Sequence, residues 1–120
     1  MNQSILLVDD KPEIAKIIML YLSAYRIHYT EDPLQAISWL KEGNLPDIII
    51  SDLNMPQMSG EEFLVYLKAE TLFHDIPVLI LSSVESSTTR IRLFEEGAED
   101  FILKPFNPEE LRIRIKRLLR

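Results

Sequence analysis

Chemically reactive side chains close four separate apolar segments of the chain. They are Asp9 and Asp10, Asp52, Ser82 and Lys104, at the ends of segments 5–10, 47–52, 76–82 and 99–104 respectively. Parallel strands present their carboxyl ends at one edge of a sheet, which is where open α/β sheets bind ligands. We therefore expect three carboxylates, a hydroxyl and an ammonium group to lie close together.

Such a cluster suits phosphoryl transfer. Carboxylates at contact distance near a protein surface repel one another by as much as about 4 kcal/mol for each pair. A small hard dication with oxygen ligands would relieve this repulsion, which favours Mg2+ over zinc. Lys104 adds a point positive charge and Ser82 a hydroxyl donor, and phosphoryl transfer depends mainly on positioning and charge neutralisation. Asp52 is then the candidate nucleophile, which would form an acyl phosphate.

Each of these residues also has a simpler interpretation. The acids could belong to solvated turns or cap a helix, the serine could satisfy nearby backbone groups, and the lysine could be an ordinary surface residue. Each interpretation is reasonable alone, but the shared sheet edge makes them improbable together. His28 and His74 match no metal or catalytic spacing, and we interpret both as structural or surface residues.

The elements that must position the cluster alternate along the chain. Strands are predicted at residues 5–8, 26–30, 47–52, 76–81 and 99–103, with 26–30 the weaker candidate and 47–52 buried on both faces. Helix starts are predicted at Pro12, Asp32, Ser59, Ser86 and Asn107. The first helix is predicted to bury the stripe Ile14, Ile18, Tyr21 and Tyr25, and the fourth to bury Ile91 and Phe94. Strict alternation of strands and helices predicts an α/β fold with a five-stranded parallel sheet flanked by five helices.

Composition limits the class of protein. The chain of 120 residues is 47% hydrophobic, which predicts one domain over residues 1–120. It has no cysteine, no basic leader and no apolar run of membrane-spanning length, so we expect a cytoplasmic protein without a membrane partner. Its net charge of -6 argues against direct contact of this domain with nucleic acid.

The same residues carry a family resemblance that extends over essentially the whole chain. The segments Val8-Asp9-Asp10, Ser51 to Pro56, Ser59-Gly60, Leu81-Ser82-Ser83 and Lys104-Pro105-Phe106 resemble the signature of the bacterial two-component response regulator receiver domain, which is CheY-like. The resemblance implies a flavodoxin-like doubly wound sheet in the order 2-1-3-4-5. It also implies that Asp52 accepts a phosphoryl group from the phosphohistidine of a sensor histidine kinase or a phosphotransfer protein. Such a domain is a signalling switch and not an enzyme, because it catalyses only its own phosphorylation and dephosphorylation.

The resemblance also implies individual roles. The Mg2+ ligands would be Asp9, Asp10, Asp52 and the backbone carbonyl of Asn54. Lys104 would pair with the phosphoryl oxygens and Ser82 would donate a hydrogen bond to one of them. Phe101 would be an aromatic switch that swings inward as Ser82 moves, with a cis Lys104-Pro105 bond nearby. Phenylalanine stands where tyrosine is frequent, so this coupling would have to come from packing alone.

The last helix is basic although the chain is acidic. These cations could simply form a solvated face near a helix C-terminus. Alternatively, the segment resembles the fourth-helix, fifth-strand, fifth-helix face through which winged-helix regulators dimerise when phosphorylated. A homodimer would then pair Glu99 and Asp100 with Arg90 or Arg114 across a two-fold axis.

Two other functions are compatible with parts of the pattern. A small Mg2+-dependent phosphohydrolase of the haloacid-dehalogenase type also uses Asp, Ser or Thr, and Lys at strand ends. Those enzymes need a second aspartate as general acid where this chain has Asn54, which disfavours them. A degenerate receiver used only for binding is disfavoured because every charged group is in place.

Overall fold

The computed structural model describes residues 3–119 and contains alternating strands and helices throughout. The strands are β1 (Ser4–Val8), β2 (Arg26–Thr30), β3 (Ile48–Asp52), β4 (Val78–Ser82) and β5 (Asp100–Leu103). The helices are α1 (Pro12–Tyr21), α2 (Pro33–Lys41), α3 (Gly60–Ala69), α4 (Ser87–Glu95) and α5 (Pro108–Leu118). No helix within residues 3–119 combines the length and the apolar character that crossing a membrane requires.

The five strands form one parallel sheet in the order β2-β1-β3-β4-β5. The predicted fold class and strand order are therefore confirmed. The register places Val8 beside Ser51, and Asp52 beside Leu81. The central strands consequently end almost level with one another, which brings the residues after them to one edge.

Alternate residues of each strand face opposite sides of the sheet and build two core layers. One layer lies under α2, α3 and α4 and includes Leu6, Ile49, Phe63 and Leu93. The other lies under α1 and α5 and includes Leu7, Ile50, Ile18, Leu111 and Ile115. Because β1, β3 and β4 are covered on both faces, their positions are rigidly determined by packing.

Four of the helices have a side-chain N-cap at the residue where the sequence predicts the helix start. Ser59 and Glu62 form a full capping box at the start of α3. Asp32, Ser86 and Asn107 accept hydrogen bonds from the first turns of α2, α4 and α5.

The predicted buried face of α1 is right at Ile14 and Ile18, which pack in the core layer under α1 and α5, and wrong at its C-terminal end. Helix α1 ends at Tyr21, which is 45% exposed, so Tyr25 lies outside the helix. The face of α1 that meets the sheet is marked by Ala15 and Ile18 and continues into Leu22. These positions follow a 3.6-residue period and share Ile18 with the predicted stripe, but they leave out Tyr21.

Helix α4 buries a different residue from those predicted. Ile91 and Phe94 are 57% and 42% exposed, whereas Leu93 is fully buried. Leu93 is the one buried residue of α4, so this helix contacts the sheet along a narrow line. A periodic pattern cannot identify the contact face of a helix that buries so little. Strand β4 also begins two residues later than predicted, at Val78.

Candidate functional site

The site lies at the carboxyl edge of β1, β3 and β4. Asp9 directly follows β1 and is 0% exposed, and Asp52 is the last residue of β3 and is 4% exposed. Ser82 is the last residue of β4 and is also fully buried. The three polar side chains are therefore held on rigid strand ends and are largely removed from bulk water.

The acids of β1 and β3 form one compact cluster. Carboxylate oxygens of Asp9, Asp10 and Asp52 all lie within 4.8 Å of one another. The Oδ1 atom of Asp10 is buried and makes no hydrogen bond within residues 3–119. Its neighbour Lys11 lies 3.7 Å away, which is an ionic contact beyond hydrogen-bonding distance.

Lys104 reaches the cluster from the loop after β5. Its Nζ atom lies 3.0 Å from Asp52 Oδ1 and 3.5 Å from Asp9 Oδ2, and its side chain is only 14% exposed. The backbone N–H of Lys104 donates to the carbonyl of Ser82, which ties this loop to the end of β4. The peptide bond before Pro105 is cis, as the family resemblance implies. One largely buried ammonium group therefore faces two carboxylates.

Burial raises the pKa of the Asp9 carboxyl above its usual value, and the Asp52 carboxylate adds to the rise. The backbone N–H of Lys11 and the Lys104 ammonium oppose this change without cancelling it. The surroundings of Asp9 thus disfavour its charged form.

These donors fit a small hard dication. The cluster offers carboxylate oxygens alone, one of them buried without a hydrogen-bond partner, and Mg2+ prefers oxygen ligands with some water retained. Asn54 lies two residues beyond Asp52 on the exposed loop after β3, and ligation by its carbonyl stays a prediction.

Ser82 ends β4, the strand that pairs with β3, and so lies on the same edge of the sheet as the cluster. Its Oγ atom accepts a hydrogen bond from the Val84 N–H at 2.9 Å, so its own proton is free to be donated elsewhere. Asp52 is held in a similar way, because the Leu53 N–H donates to its Oδ1 atom at 3.0 Å.

Gly60 has a role that the motif alone does not explain. A Cβ atom at this position would lie 2.1 Å from the backbone oxygen of Asp52, a distance no side chain could occupy. The Gly60 N–H also donates to the carbonyl of Leu53 at 2.7 Å. Helix α3 can therefore begin directly against the end of β3 only because residue 60 is glycine.

Phe101 is part of the core. Its ring is 8% exposed and belongs to the layer under α2, α3 and α4. The ring therefore already faces inward, and an inward swing coupled to Ser82 stays a prediction.

The predicted dimer face contains a cleft of about 480 Å3 lined by Arg90, Phe94, Asp100, Phe106 and Arg114 among others. Asp100 and Arg114 already form an ion pair at 2.9 Å inside the chain. Glu99 likewise accepts from the Val78 N–H and lies 3.5 Å from the Lys68 ammonium. Both acids proposed to pair across a two-fold axis, Glu99 and Asp100, thus have partners in their own chain.

The two histidines lie away from the acid cluster. His28 stacks on Trp39 with ring centroids 4.3 Å apart, and His74 Nδ1 lies 3.0 Å from a carboxylate oxygen of the exposed Asp75.

Sequence reasoning missed Tyr29 at the end of β2. Its hydroxyl donates to the backbone carbonyl of Asp9 at 2.7 Å. Burial raises the pKa of Tyr29, and four nearby carboxylates add to this effect: Glu31, Asp9, Asp10 and Glu13. A tyrosine in a short edge strand carries no pattern that would have indicated this contact.

A doubly wound sheet with buried acids and a lysine at its carboxyl edge is the arrangement expected of a receiver domain that signals by phosphorylation. Residues 5–116 match the family model described as the response regulator receiver domain, and the chain belongs to this family of two-component systems. The match gives no support to the phosphohydrolase alternative.

Known proteins resemble the chain over nearly its whole length. The phosphate regulon transcriptional regulatory protein PhoB of Escherichia coli (strain K12) is 37% identical over all of this chain and 53% of PhoB. Hybrid signal transduction histidine kinase D of Dictyostelium discoideum is 35% identical over 96% of this chain and 7% of that protein. The structure of chemotaxis response regulator CheY4 of Vibrio cholerae superposes with a TM-score of 0.91 at 30% identity, covering 99% of this chain and 100% of that one. The chain thus spans about half the length of PhoB, and far less of the hybrid kinase.

Proposed function

We propose that this receiver domain is switched by phosphorylation of Asp52 in a Mg2+-dependent reaction. The observation that carries the proposal is the position of the Lys104 ammonium, 3.0 Å from the Asp52 carboxylate, inside a cluster that also holds Asp9 and Asp10. A nucleophile, a cation for the transferred group and oxygen ligands for a metal are thereby supplied by three different strand ends.

The chemical step is a displacement at phosphorus. A carboxylate oxygen of Asp52 attacks the phosphoryl group of a phosphohistidine, the new O–P bond forms, and the P–N bond breaks. The electron pair of that bond leaves with the imidazole of the donor protein. Bound Mg2+ would neutralise charge on the carboxylates and on the transferred oxygens, with Asp9, Asp10, Asp52 and the Asn54 carbonyl as its proposed ligands.

Lys104 and Ser82 then change their contacts in response to the phosphorylation of Asp52. The Lys104 ammonium exchanges its contact with Asp52 for one with a phosphoryl oxygen, and the Ser82 hydroxyl donates to another. Ser82 also accepts from the Val84 N–H, so its movement would be transmitted to the chain that leads into α4. Phe101 of β5 lies beside Ile80 of β4 and would transmit the change to the α4-β5-α5 face.

The proposed partner is a sensor histidine kinase or a phosphotransfer protein, met in the cytoplasm. We also propose a phosphorylation-dependent homodimer through the face that contains Arg90, Glu99, Asp100 and Arg114, with no direct contact to nucleic acid. The Asp100–Arg114 pair would have to open and exchange partners in the dimer. Sedimentation with and without a phosphoryl mimic tests this, and a monomer in both conditions would contradict it.

Incubation with acetyl phosphate and Mg2+, followed by intact mass measurement, tests the phosphoacceptor. We expect one phosphoryl adduct, stable in acid and labile in base, on the unaltered domain. Asp52→Asn should lose the adduct, and Asp75→Asn should retain it because the Asp75 side chain is 96% exposed and outside the cluster. An adduct that persists in Asp52→Asn, or catalytic turnover of small phosphate esters, would contradict the proposal.

A further inference from the structure

Tyr29 connects the edge strand β2 to the acid cluster. Its ring packs against the core layer under α1 and α5, and its hydroxyl extends to the backbone carbonyl of Asp9. The oxygen-to-oxygen distance is 2.7 Å, which is that of a well-formed hydrogen bond. Tyr29 therefore contacts the loop that supplies two of the three acids.

This bond holds the peptide unit between Asp9 and Asp10. Within residues 3–119, the Asp9 carbonyl and the Asp10 N–H make no other hydrogen bond. A peptide unit is planar, so the direction of the Asp9 carbonyl determines where the Cα atom of Asp10 lies. The Tyr29 hydroxyl thus helps to set the starting point of the Asp10 side chain.

Asp10 needs this help more than the other two acids do. The Asp9 carboxylate accepts from the Lys11 N–H at 2.9 Å, and Asp52 accepts from the Leu53 N–H at 3.0 Å. Asp10 has a buried oxygen without a hydrogen bond, and its nearest cation is on the exposed side chain of Lys11. Its orientation toward the cluster depends mainly on its backbone.

We propose that Tyr29 is a positioning residue for the metal site. By holding the Asp9–Asp10 peptide unit it directs the Asp10 carboxylate toward Asp9 and Asp52, and so raises the affinity of the domain for Mg2+. This inference rests on the proposed function of the acid cluster. Groups that orient a metal ligand from outside the coordination sphere commonly change metal affinity by about ten- to a hundredfold.

The test is a calorimetric titration of the purified domain with MgCl2 for the unaltered protein and for Tyr29→Phe. The substitution removes the hydroxyl and keeps the ring. Because a single hydrogen bond to a backbone group is lost, we expect the dissociation constant for Mg2+ to rise by about three- to tenfold. Phosphorylation by acetyl phosphate should need correspondingly more Mg2+ for half-maximal rate, while the rate at saturating Mg2+ stays within about twofold.

Tyr66→Phe is the matched control. The Tyr66 hydroxyl is buried and makes no hydrogen bond within residues 3–119, so its removal should leave Mg2+ affinity unchanged. A purely structural role for Tyr29 would lower thermal stability without changing the Mg2+ dissociation constant, and that result would overturn the proposal. If the unaltered domain itself binds no Mg2+ and forms no adduct, the proposed function fails as well.

A measurement on the unaltered protein guards against a variant that does not fold. With 13Cζ-labelled tyrosine, the NMR signal of Tyr29 should shift as Mg2+ is added, and the midpoint of this shift should equal the midpoint of the calorimetric titration. The signal of Tyr66 should not shift. An unmoved Tyr29 signal at saturating Mg2+ would also overturn the proposal.

Discussion

Acids outnumber bases in two clusters of this domain, and the clusters differ in how they are held. At the sheet edge, Lys104 divides its contacts between Asp52 at 3.0 Å and Asp9 at 3.5 Å. Between α3 and α4, Arg92 donates a bidentate pair of hydrogen bonds to the carboxylate of Glu61, at 2.7 and 2.9 Å. A second acid, Glu96, lies beside this pair.

The difference lies in exposure and in freedom to rearrange. The side chains of Glu61 and Arg92 are 25% and 48% exposed and stand on helix surfaces, so they can adopt good geometry and water screens their ion pair. Asp9 and Asp52 stand on buried strand ends and cannot move to share one lysine equally well. The helix cluster is therefore held by one well-formed ion pair, whereas at the sheet edge two buried acids share one lysine, and a metal and a phosphoryl group can use the negative charge that remains there.

The largest difference between the two clusters should follow from removing the cation of each. Lys104→Met should slow phosphorylation of Asp52 by acetyl phosphate about a hundredfold, because the preorganised charge that faces the transferred oxygens is lost. Arg92→Met should leave the rate within about twofold, since its cluster only connects two helices. Time courses of intact mass at saturating Mg2+ would measure both rates. Equal rates for the two variants would remove the distinction between the clusters.

A smaller effect is expected from removing an acid at the sheet edge. Asp10→Asn should raise the free energy of unfolding in the absence of Mg2+ by about 1 kcal/mol, because repulsion within the cluster is relieved and solvent screening reduces the gain. Added Mg2+ should stabilise the unaltered domain and not the variant. Urea unfolding with EDTA and with MgCl2 measures this, with Asp75→Asn as an exposed control. A variant that is less stable in EDTA would show that the cluster holds no repulsive charge.

Much of the fold was accessible from the sequence because the central strands are buried on both faces. Such strands appear as continuous apolar runs, and their alternation with helices determines the topology and hence which residues meet at one edge. The convergence of Asp9, Asp52 and Lys104 follows from that topology, although up to 95 residues separate them.

The missed features depend on contacts between surfaces that no local pattern describes. The exposed faces of α1 and α4 depend on how each helix lies on the sheet. The Tyr29 bond to Asp9 spans 20 residues, and the Glu61 contact with Arg92 spans 31. The close approach that requires Gly60 is likewise visible only once α3 is placed against β3.

The smallest effect concerns the pH dependence of the helix cluster. Burial raises the pKa of Glu96, and the adjacent Glu61 adds to this rise, so the folded domain keeps this proton where the unfolded chain has lost it. The stability associated with the proton is present below the usual value of 4.5 and is lost as the pH rises through the raised pKa. Glu96→Gln stays neutral and should exceed the unaltered domain in stability above that range, by on the order of 0.5 kcal/mol.

Glu61 should behave in the opposite way. The hydrogen bond from Arg92 lowers the pKa of Glu61, so its contribution is present above the usual value of 4.5 and is lost as the pH falls through the lowered pKa. Glu61→Gln should therefore be less stable than the unaltered domain near neutral pH and should approach it in acid. Urea unfolding across pH 3 to 8, on the order of one point per pH unit, gives the free energy of unfolding of each variant as a function of pH and separates the two curves. The control is Glu95→Gln, because Glu95 is an exposed neighbour of Glu96. Parallel curves for the Glu61 and Glu96 variants would mean that Arg92 does not distinguish the two acids, and the contrast with the sheet edge would then rest on burial alone.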